Sequence, residues 1–354
     1  MGQETSVGVL KHAAQSGKLG HAYLLYGPRG SGKTTTARLL AKLLNCEARA
    51  TDEVFRAQGE PCNACSACGE IESGNAIDVV EIDAASNRGI DEIRNLKESI
   101  VSSPVKARMK IYIIDEVHML TTPAFNALLK TLEEPPRHAA LILATTEYEK
   151  LPATITSRTQ RFAFKKLSRI EIAKKLGHIA KAEEITIDTD ALELIAAIAE
   201  GSVRDAESLL EQLASGSSSL SLLSVEELTG RIGFRKIKAL AESIVRRDLS
   251  HSLALLMELH HEGANLTQCA SDLIHYLRKV LVLALDSNLK GTLSGDHTNE
   301  ELQEIEMLAR TTDVAFLSEL LRRLIRAYSE MRYSPFALIP LEIALAEHLG
   351  AKEK

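Results

Sequence analysis

The sequence predicts an α/β domain built on a parallel sheet, followed by a half that is helical throughout. Three observations predict it. Short apolar runs (AYLLYG, VVEID, KIYIIDE and ALILATT) alternate with helical stretches over residues 1–165, the pattern of a sheet covered on both faces. The glycine-rich run Gly27–Thr34 joins the first apolar run to a helix. From about residue 166 onward, apolar residues recur only at helical spacing.

In chain order, AYLLYG reads as the first strand and Gly32 to about Asn45 as the first long helix. VVEID is a second strand, and KIYIIDE, ending in Asp115-Glu116, a third. The next helix has Thr122 as its expected cap and Pro123 at its first position. Phe125, Leu128, Leu129 and Leu132 then recur at i, i+3, i+4 and i+7, and Pro135-Pro136 ends it. ALILATT is the next strand. Residues 166–227 read as a small all-helical domain: Ile170, Ile172, Leu176, Ile179 and Ala180 form one stripe, Leu192, Ile195, Ile198 and Ala199 another. A third helix begins near Ser202, and Ser215–Ser221 reads as a loop. Residues 228–354 carry longer helices without sustained heptads, which predicts packed helices rather than a coiled coil.

A chain of 354 residues suits two or three domains. Its 45% hydrophobic and 25% charged composition is that of a globular protein. No apolar run reaches the roughly 18–20 residues of a membrane span, and MGQETSVGVLKHAAQ lacks the pattern of a signal peptide. The cytoplasm is the expected compartment. A net charge of −6 argues against nucleic acid gripped over the whole surface. An aromatic content of 4% with no tryptophan gives no base-stacking platform.

Gly27-Pro28-Arg29-Gly30-Ser31-Gly32-Lys33-Thr34 has the form G-x-x-x-x-G-K-[ST], with Thr35 following. Glycines let the backbone curl around phosphate oxygens, and the helix opening at Lys33 aims amide donors at the anion. Lys33 is expected on the β- and γ-phosphates of ATP, and Thr34 on Mg²⁺. Asp115 is the second expected Mg²⁺ anchor. Glu116 is placed to activate the attacking water as general base. Thr146, at the sheet edge, is a candidate sensor of the γ-phosphate or an ordinary structural threonine. Arg158 and Arg204 have the fork that suits phosphate, although an isolated arginine is more often a surface ion pair.

Cys46, Cys62, Cys65 and Cys68 cluster, and in a cytosolic chain that favours a metal. Four thiolates close a tetrahedral Zn²⁺ site with no open position, which argues for a structural ion; the 62-65-68 spacing alone also admits an iron–sulfur cluster. Cys269 sits on a helical stripe and reads as core.

HAYLLYGPRGSGKTTTARLLAKLLNC, VVEIDAASNRGIDEIR, IDEVHMLTTPAFNALLKTLEEPP, ATTEYEKLPATITSR and GSVRDAESLLEQ resemble the gamma/tau subunits of the bacterial DNA polymerase III clamp loader, members of the AAA+ ATPases. The resemblance covers nearly the whole chain. It implies a P-loop ATPase domain over 1–165 with a zinc module at 46–68, a helical lid over 166–227 and an all-α collar over 228–354. It further implies that Thr146 is the first sensor, that Arg158 is a finger reaching a neighbouring subunit's ATP, and that Arg204 is a second sensor acting in cis. The implied partners are further gamma/tau copies, delta and delta-prime subunits, the sliding clamp, and primer–template DNA held through its backbone. Arg88, Arg94, Lys97 and Lys130 are the candidate phosphate contacts. Two other readings remain beside it: a nucleotide-gated scaffold without turnover, and a DNA-translocating motor such as a branch-migration helicase. The chain opens inside what resembles the family's leader, short of a basic Arg-Pro segment that lies over adenine in that family, and stops after the collar. ATP affinity and helicase tethering are the properties these ends bear on.

Overall fold

The apolar runs pair in the order β2-β3-β4-β1-β5, all parallel. The strands are β1 (Ala22–Tyr26), β2 (Val79–Asp83), β3 (Lys110–Asp115), β4 (Ala139–Thr145) and β5 (Gln160–Ala163). The computed structural model describes residues 2–87, 89–216, 219–290 and 299–350. Arg88, a candidate DNA contact, lies outside them. The chain divides into two units, Met1–Leu167 and Ser168–Lys354.

In the first unit, strand alternation sorts side chains to two faces. Tyr23, Leu25, Ile111, Ile113 and Ile142 pack with Leu10 of helix α1 (Glu4–Gln15) and with Ala37, Leu40 and Ala41 of α2 (Lys33–Asn45). The other face sets Leu24, Tyr112, Ile114, Leu141 and Leu143 beside Ile93 and Ile100 of α6 (Ile90–Val101) and Phe125, Leu128 and Leu132 of α7 (Thr122–Glu133). β4 is buried along its whole length, as a central parallel strand must be. The cap of α7 is Thr121 rather than Thr122, and no side chain caps it. Pro123 still falls in the first turn, where its missing N–H costs nothing. Three short helices, α3 (Glu47–Thr51), α4 (Glu53–Arg56) and α5 (Ser66–Glu72), form the insertion between α2 and β2; α8 (Ala153–Thr156) precedes β5.

A buried carboxylate ties down the loop that enters β3. Asp78, only 3% exposed, accepts from the backbone N–H groups of Val105 (2.8 Å), Lys106 (2.7 Å) and Ala107 (2.8 Å). Burial alone would raise its pKa. The three donors, with Lys110, outweigh burial and hold the carboxyl below its ordinary value. A depressed pKa contributes stability that is present above the unfolded-state value and lost as pH falls through the folded one. Asp78→Ala is therefore expected to cost about 2–4 kcal/mol near neutral pH by stranding three donors. In urea titrations the gap to wild type should shrink as pH drops below about 4; a pH-independent gap would refute the carboxylate's role.

In the second unit, Ser168 and Glu171 make a capping box that opens α9 (Arg169–Ala182). α10 (Thr189–Ile198), α11 (Val203–Ala214) and α12 (Leu222–Thr229) follow. Ile172, Leu176 and Ala180 are buried as expected, whereas Ile170 is exposed. The all-helical expectation for 166–227 needs correction: β6 (Thr186–Ile187) and β7 (Ser219–Leu220) form a small parallel pair. β7 lies in the serine-rich stretch read as loop. Among the described residues six longer helices follow: α13 (Phe234–Val245), α14 (Leu249–His261), α15 (Leu266–Leu285), α16 (Asn299–Arg310), α17 (Val314–Met331) and α18 (Leu338–Leu349). They share one core, with Leu240, Leu256, Leu273, Leu277, Leu320, Leu324 and Leu345 fully enclosed and Cys269 buried among them. No described helix is long and apolar enough to cross a membrane.

Candidate nucleotide and metal sites

β3, β4 and β1 are neighbours, and their carboxyl ends carry Asp115, Thr145 and the loop after Tyr26. Parallel α/β sheets bind ligands at this edge. The loop curls in the way a phosphate cradle requires: Gly27, Gly30 and Gly32 all have positive φ, at 144°, 68° and 94°. At Gly27 a Cβ would lie 2.2 Å from the Phe164 carbonyl oxygen, so only glycine fits. Pro28, Arg29 and Ser31 complete the turn; the Ser31 hydroxyl donates to the Pro28 carbonyl (2.7 Å). Thr35 is exposed on the first turn of α2.

Lys33 is 6% exposed. Its Nζ donates to the carbonyls of Gly27 (2.9 Å) and Pro28 (2.8 Å), so the cation is enclosed by the loop it serves. Burial lowers its pKa, and the Glu116 and Asp115 charges push the other way. The Thr34 hydroxyl donates to Asp115 Oδ2 (2.7 Å). The two residues expected to share a divalent cation thus already touch. A hydroxyl and a carboxylate are the hard oxygen donors that Mg²⁺ takes.

Glu116 adopts φ 46°, ψ 44°, a conformation that costs a non-glycine residue about 1 kcal/mol or more. Its carboxylate is gripped from β4's end: Thr146 donates to Oε2 through both backbone N–H (3.1 Å) and hydroxyl (2.9 Å). Sequence reasoning found Thr146 but not this contact. It missed His118 altogether. That ring is buried, its Nδ1 2.9 Å from Thr145 Oγ1 and 3.3 Å from Glu116 Oε2, its Nε2 3.3 Å from Glu147 Oε1. His118 therefore braces the proposed base against a second carboxylate. The only sequence signal was a histidine two residues beyond the acidic pair.

Arg158 is not at this edge's phosphate loop. Its Nε and Nη2 engage Glu133 Oε1 (2.8 and 2.6 Å), and Nη1 donates to the Thr154 carbonyl (3.0 Å). Arg204 lies exposed in the first turn of α11, in the second unit. Arg94 and Lys97 sit on α6 and Lys130 on α7.

The insertion gathers the four cysteines. The Sγ atoms of Cys46, Cys62, Cys65 and Cys68 lie within 4.8 Å of one another, close to the sulfur spacing of roughly 4 Å around a tetrahedral Zn²⁺. The Cys65 N–H donates to Cys62 Sγ (3.3 Å) and the Cys62 N–H to Cys46 Sγ (3.4 Å). Donors of this kind, chiefly the Ala64 N–H, pull the Cys62 pKa down to about 6. Burial pushes the Cys68 thiol up, a cost that a bound dication would reverse. The donor set fits Zn²⁺.

Comparison with known proteins agrees with this architecture. Residues 2–168 match the family described as DNA polymerase III, delta subunit. Residues 171–218 match the ATPase lid domain of the DNA polymerase III clamp loader subunit, and residues 220–352 match domain III of the gamma and tau subunits. The chain is 41% identical to the DNA polymerase III subunit tau of Bacillus subtilis, over 98% of its own length and 60% of the relative's. It is 38% identical to the tau subunit of Escherichia coli, over 99% of its own length and 53% of that relative's. The gamma subunit of Buchnera aphidicola from Acyrthosiphon pisum is 34% identical, with 99% of this chain and 95% of that one covered. The chain thus spans a little over half the length of the tau relatives and nearly all of a gamma relative. A parallel sheet with a phosphate loop, a lid and an all-helical third region, matched in sequence from end to end, place the chain in the DNA polymerase III gamma/tau subunit family.

Proposed function

We propose that this chain is an ATP-hydrolysing subunit of a bacterial sliding-clamp loader, coupling ATP binding and hydrolysis to the opening and placement of the clamp on primer–template DNA. The observation that carries the reading is the convergence of Lys33, the Thr34–Asp115 pair and the Thr146-held Glu116 at the ends of three adjacent strands. In this reading the amides of residues 27–34 and Lys33 hold the triphosphate, and Thr34 and Asp115 hold Mg²⁺. Mg²⁺ supplies charge neutralisation on the phosphates. Glu116 takes the proton of the attacking water, and Thr146 and His118 fix the carboxylate that does so. Arg158 completes a neighbour's site, and Arg204 senses nucleotide from the lid. Cys46, Cys62, Cys65 and Cys68 hold a structural Zn²⁺.

We assign residues 1–165 to the ATPase domain, 166–227 to the lid and 228–354 to a collar that joins further gamma/tau copies with delta and delta-prime subunits. Arg94, Lys97 and Lys130 offer backbone contacts to DNA in the cytoplasm. An acidic chain can still grip DNA if a few cations line an inner channel of the assembly. The test is ATP turnover by the chain with delta, delta-prime, clamp and primed template. Slow turnover alone and strong stimulation by clamp plus primed DNA are expected. Stimulation by duplex DNA alone would favour a translocating motor, and no turnover in any mixture would favour a scaffold.

A further inference from the structure

The amino edge of the same sheet, opposite the phosphate loop, carries a second concentration of positive charge. His21 precedes β1, Arg108 lies two residues before β3, and Arg137 two residues before β4. Lys110 pairs in register with Ala139, so Arg108 and Arg137 enter adjacent strands at equivalent positions. The cysteine insertion adds Arg49 and Arg56 from α3 and α4. These five residues line one cavity of about 460 Å³, and no aspartate or glutamate lines it.

In a chain with 48 acidic residues against 42 lysines and arginines, this segregation demands a reason. Two of the four arginines have a structural one. Arg49, 5% exposed, donates to the carbonyls of Ala14 (2.9 Å), Leu43 (3.2 Å) and Arg56 (3.3 Å). It thereby satisfies the ends of α1 and α2. Arg56 donates to the Arg49 carbonyl (2.9 Å). Carbonyl oxygens orient these guanidinium groups without neutralising them, and the one anionic candidate in the lining is Cys46, a residue of the cysteine cluster. Burial lowers the Arg49 pKa, with Arg56 pushing the same way and Cys46 and Glu60 opposing. Arg108 and Arg137 are exposed. Among the described residues, neither has an ion pair or a hydrogen bond from its side chain. Helix ends explain the first pair and not the second.

We infer that this cavity binds a small ligand carrying more than one phosphate, a nucleotide or similar phosphorylated metabolite, at a site separate from the phosphate loop. Guanidinium forks are the donors that phosphate oxygens take in pairs. The volume falls in the range of small-molecule pockets. Leu19, Leu44, Met109 and Pro135-Pro136 supply apolar wall for an organic body. Arg108 and Arg137 on the sheet edge offer the free forks, and Arg49 and Arg56, committed to carbonyls, add positive potential from the insertion.

The test uses the full chain carrying Lys33→Ala, which disables the phosphate loop, titrated calorimetrically with pyrophosphate and with ADP at about 150 mM salt, where loose surface attraction is screened. Saturable binding is expected, weakened about tenfold or more by Arg108→Ala with Arg137→Ala, and lost on Arg108→Glu with Arg137→Glu. Both side chains are exposed and unbonded, so the variants should melt with their parent; a thermal shift on adding pyrophosphate gives an independent readout. Absence of saturable binding, or binding indifferent to both double variants, overturns the inference. A short single-stranded oligonucleotide binding about tenfold tighter than ADP through the same arginines would overturn the small-ligand assignment in favour of a nucleic-acid strand.

Discussion

Lys33→Ala is expected to abolish usable ATP binding, whereas Glu116→Gln should leave binding nearly intact and stop turnover. The contrast follows from where each charge sits. Lys33 is enclosed by its own loop, with Nζ on the Gly27 and Pro28 carbonyls. In the nucleotide complex it would exchange carbonyl partners for phosphate oxygens, a trade of neutral acceptors for charged ones. Alanine removes both the brace of the empty loop and the cation of the filled one. Truncating one partner of a buried charged pair costs about 2–5 kcal/mol, which corresponds to roughly 30- to several-thousand-fold weaker binding. Glu116 is held by Thr146 and His118, outside the loop. Glutamine keeps the shape and one acceptor while losing the proton-accepting oxygen. A general base is worth about 10²–10⁴ in rate. Equilibrium titration with a fluorescent ATP analogue, followed by single-turnover hydrolysis, separates the two outcomes. A Glu116→Gln protein that hydrolyses at the wild-type rate would remove Glu116 from the chemistry.

The phosphate loop and the cysteine cluster were legible because their chemistry is local. A glycine pattern between a strand and a helix, or thiols at short spacing, specifies its own geometry whatever surrounds it. β1, β3 and β4 were legible because buried parallel strands are continuous apolar runs. What escaped notice depends on tertiary placement. Nothing adjacent to His118 says that it will reach Thr145 and Glu147, since β4 brings those residues from a distant part of the chain. Asp78 reads as one acidic residue before a strand until the loop at 105–107 folds onto it. β6 and β7 have two residues each, too few to write an alternation, and β7 is disguised by serines. The cap of α7 shifted by one residue because Thr121 and Thr122 offer the same side chain at adjacent positions. The four arginines of the basic cavity are scattered from residue 49 to 137: strand register sets Arg108 beside Arg137, and carbonyls of α1, α2 and the insertion hold Arg49 and Arg56.

Arg158→Ala should leave nucleotide binding within about twofold of wild type and remove most of the turnover stimulated in the full assembly. The residue's partners within its own chain set up that expectation. Its guanidinium is held by Glu133 and the Thr154 carbonyl, is about a third exposed, and makes no hydrogen bond to residues 27–34. A partly exposed ion pair of this kind is worth about 0–1 kcal/mol. Releasing Arg158 from Glu133 is therefore cheap, while an arginine finger supplied to another subunit's triphosphate accelerates hydrolysis by about 10³–10⁵. The low cost of release leaves the guanidinium free to stabilise a neighbour's transition state when that γ-phosphate comes within reach. Two controls make the argument specific. Glu133→Ala frees the guanidinium without removing it, so stimulated turnover should hold or rise. Arg158→Lys keeps the charge but not the fork, and should recover only a small part of the loss. Mixing Arg158→Ala chains with Lys33→Ala chains extends the logic: where the nucleotide site of an Arg158→Ala chain meets the guanidinium of a Lys33→Ala chain, both groups are intact, so part of the stimulated turnover should return. An Arg158→Ala assembly that turns over at the wild-type rate would show that the guanidinium completes no neighbour's site, and Glu133 would then be its working partner rather than its resting one.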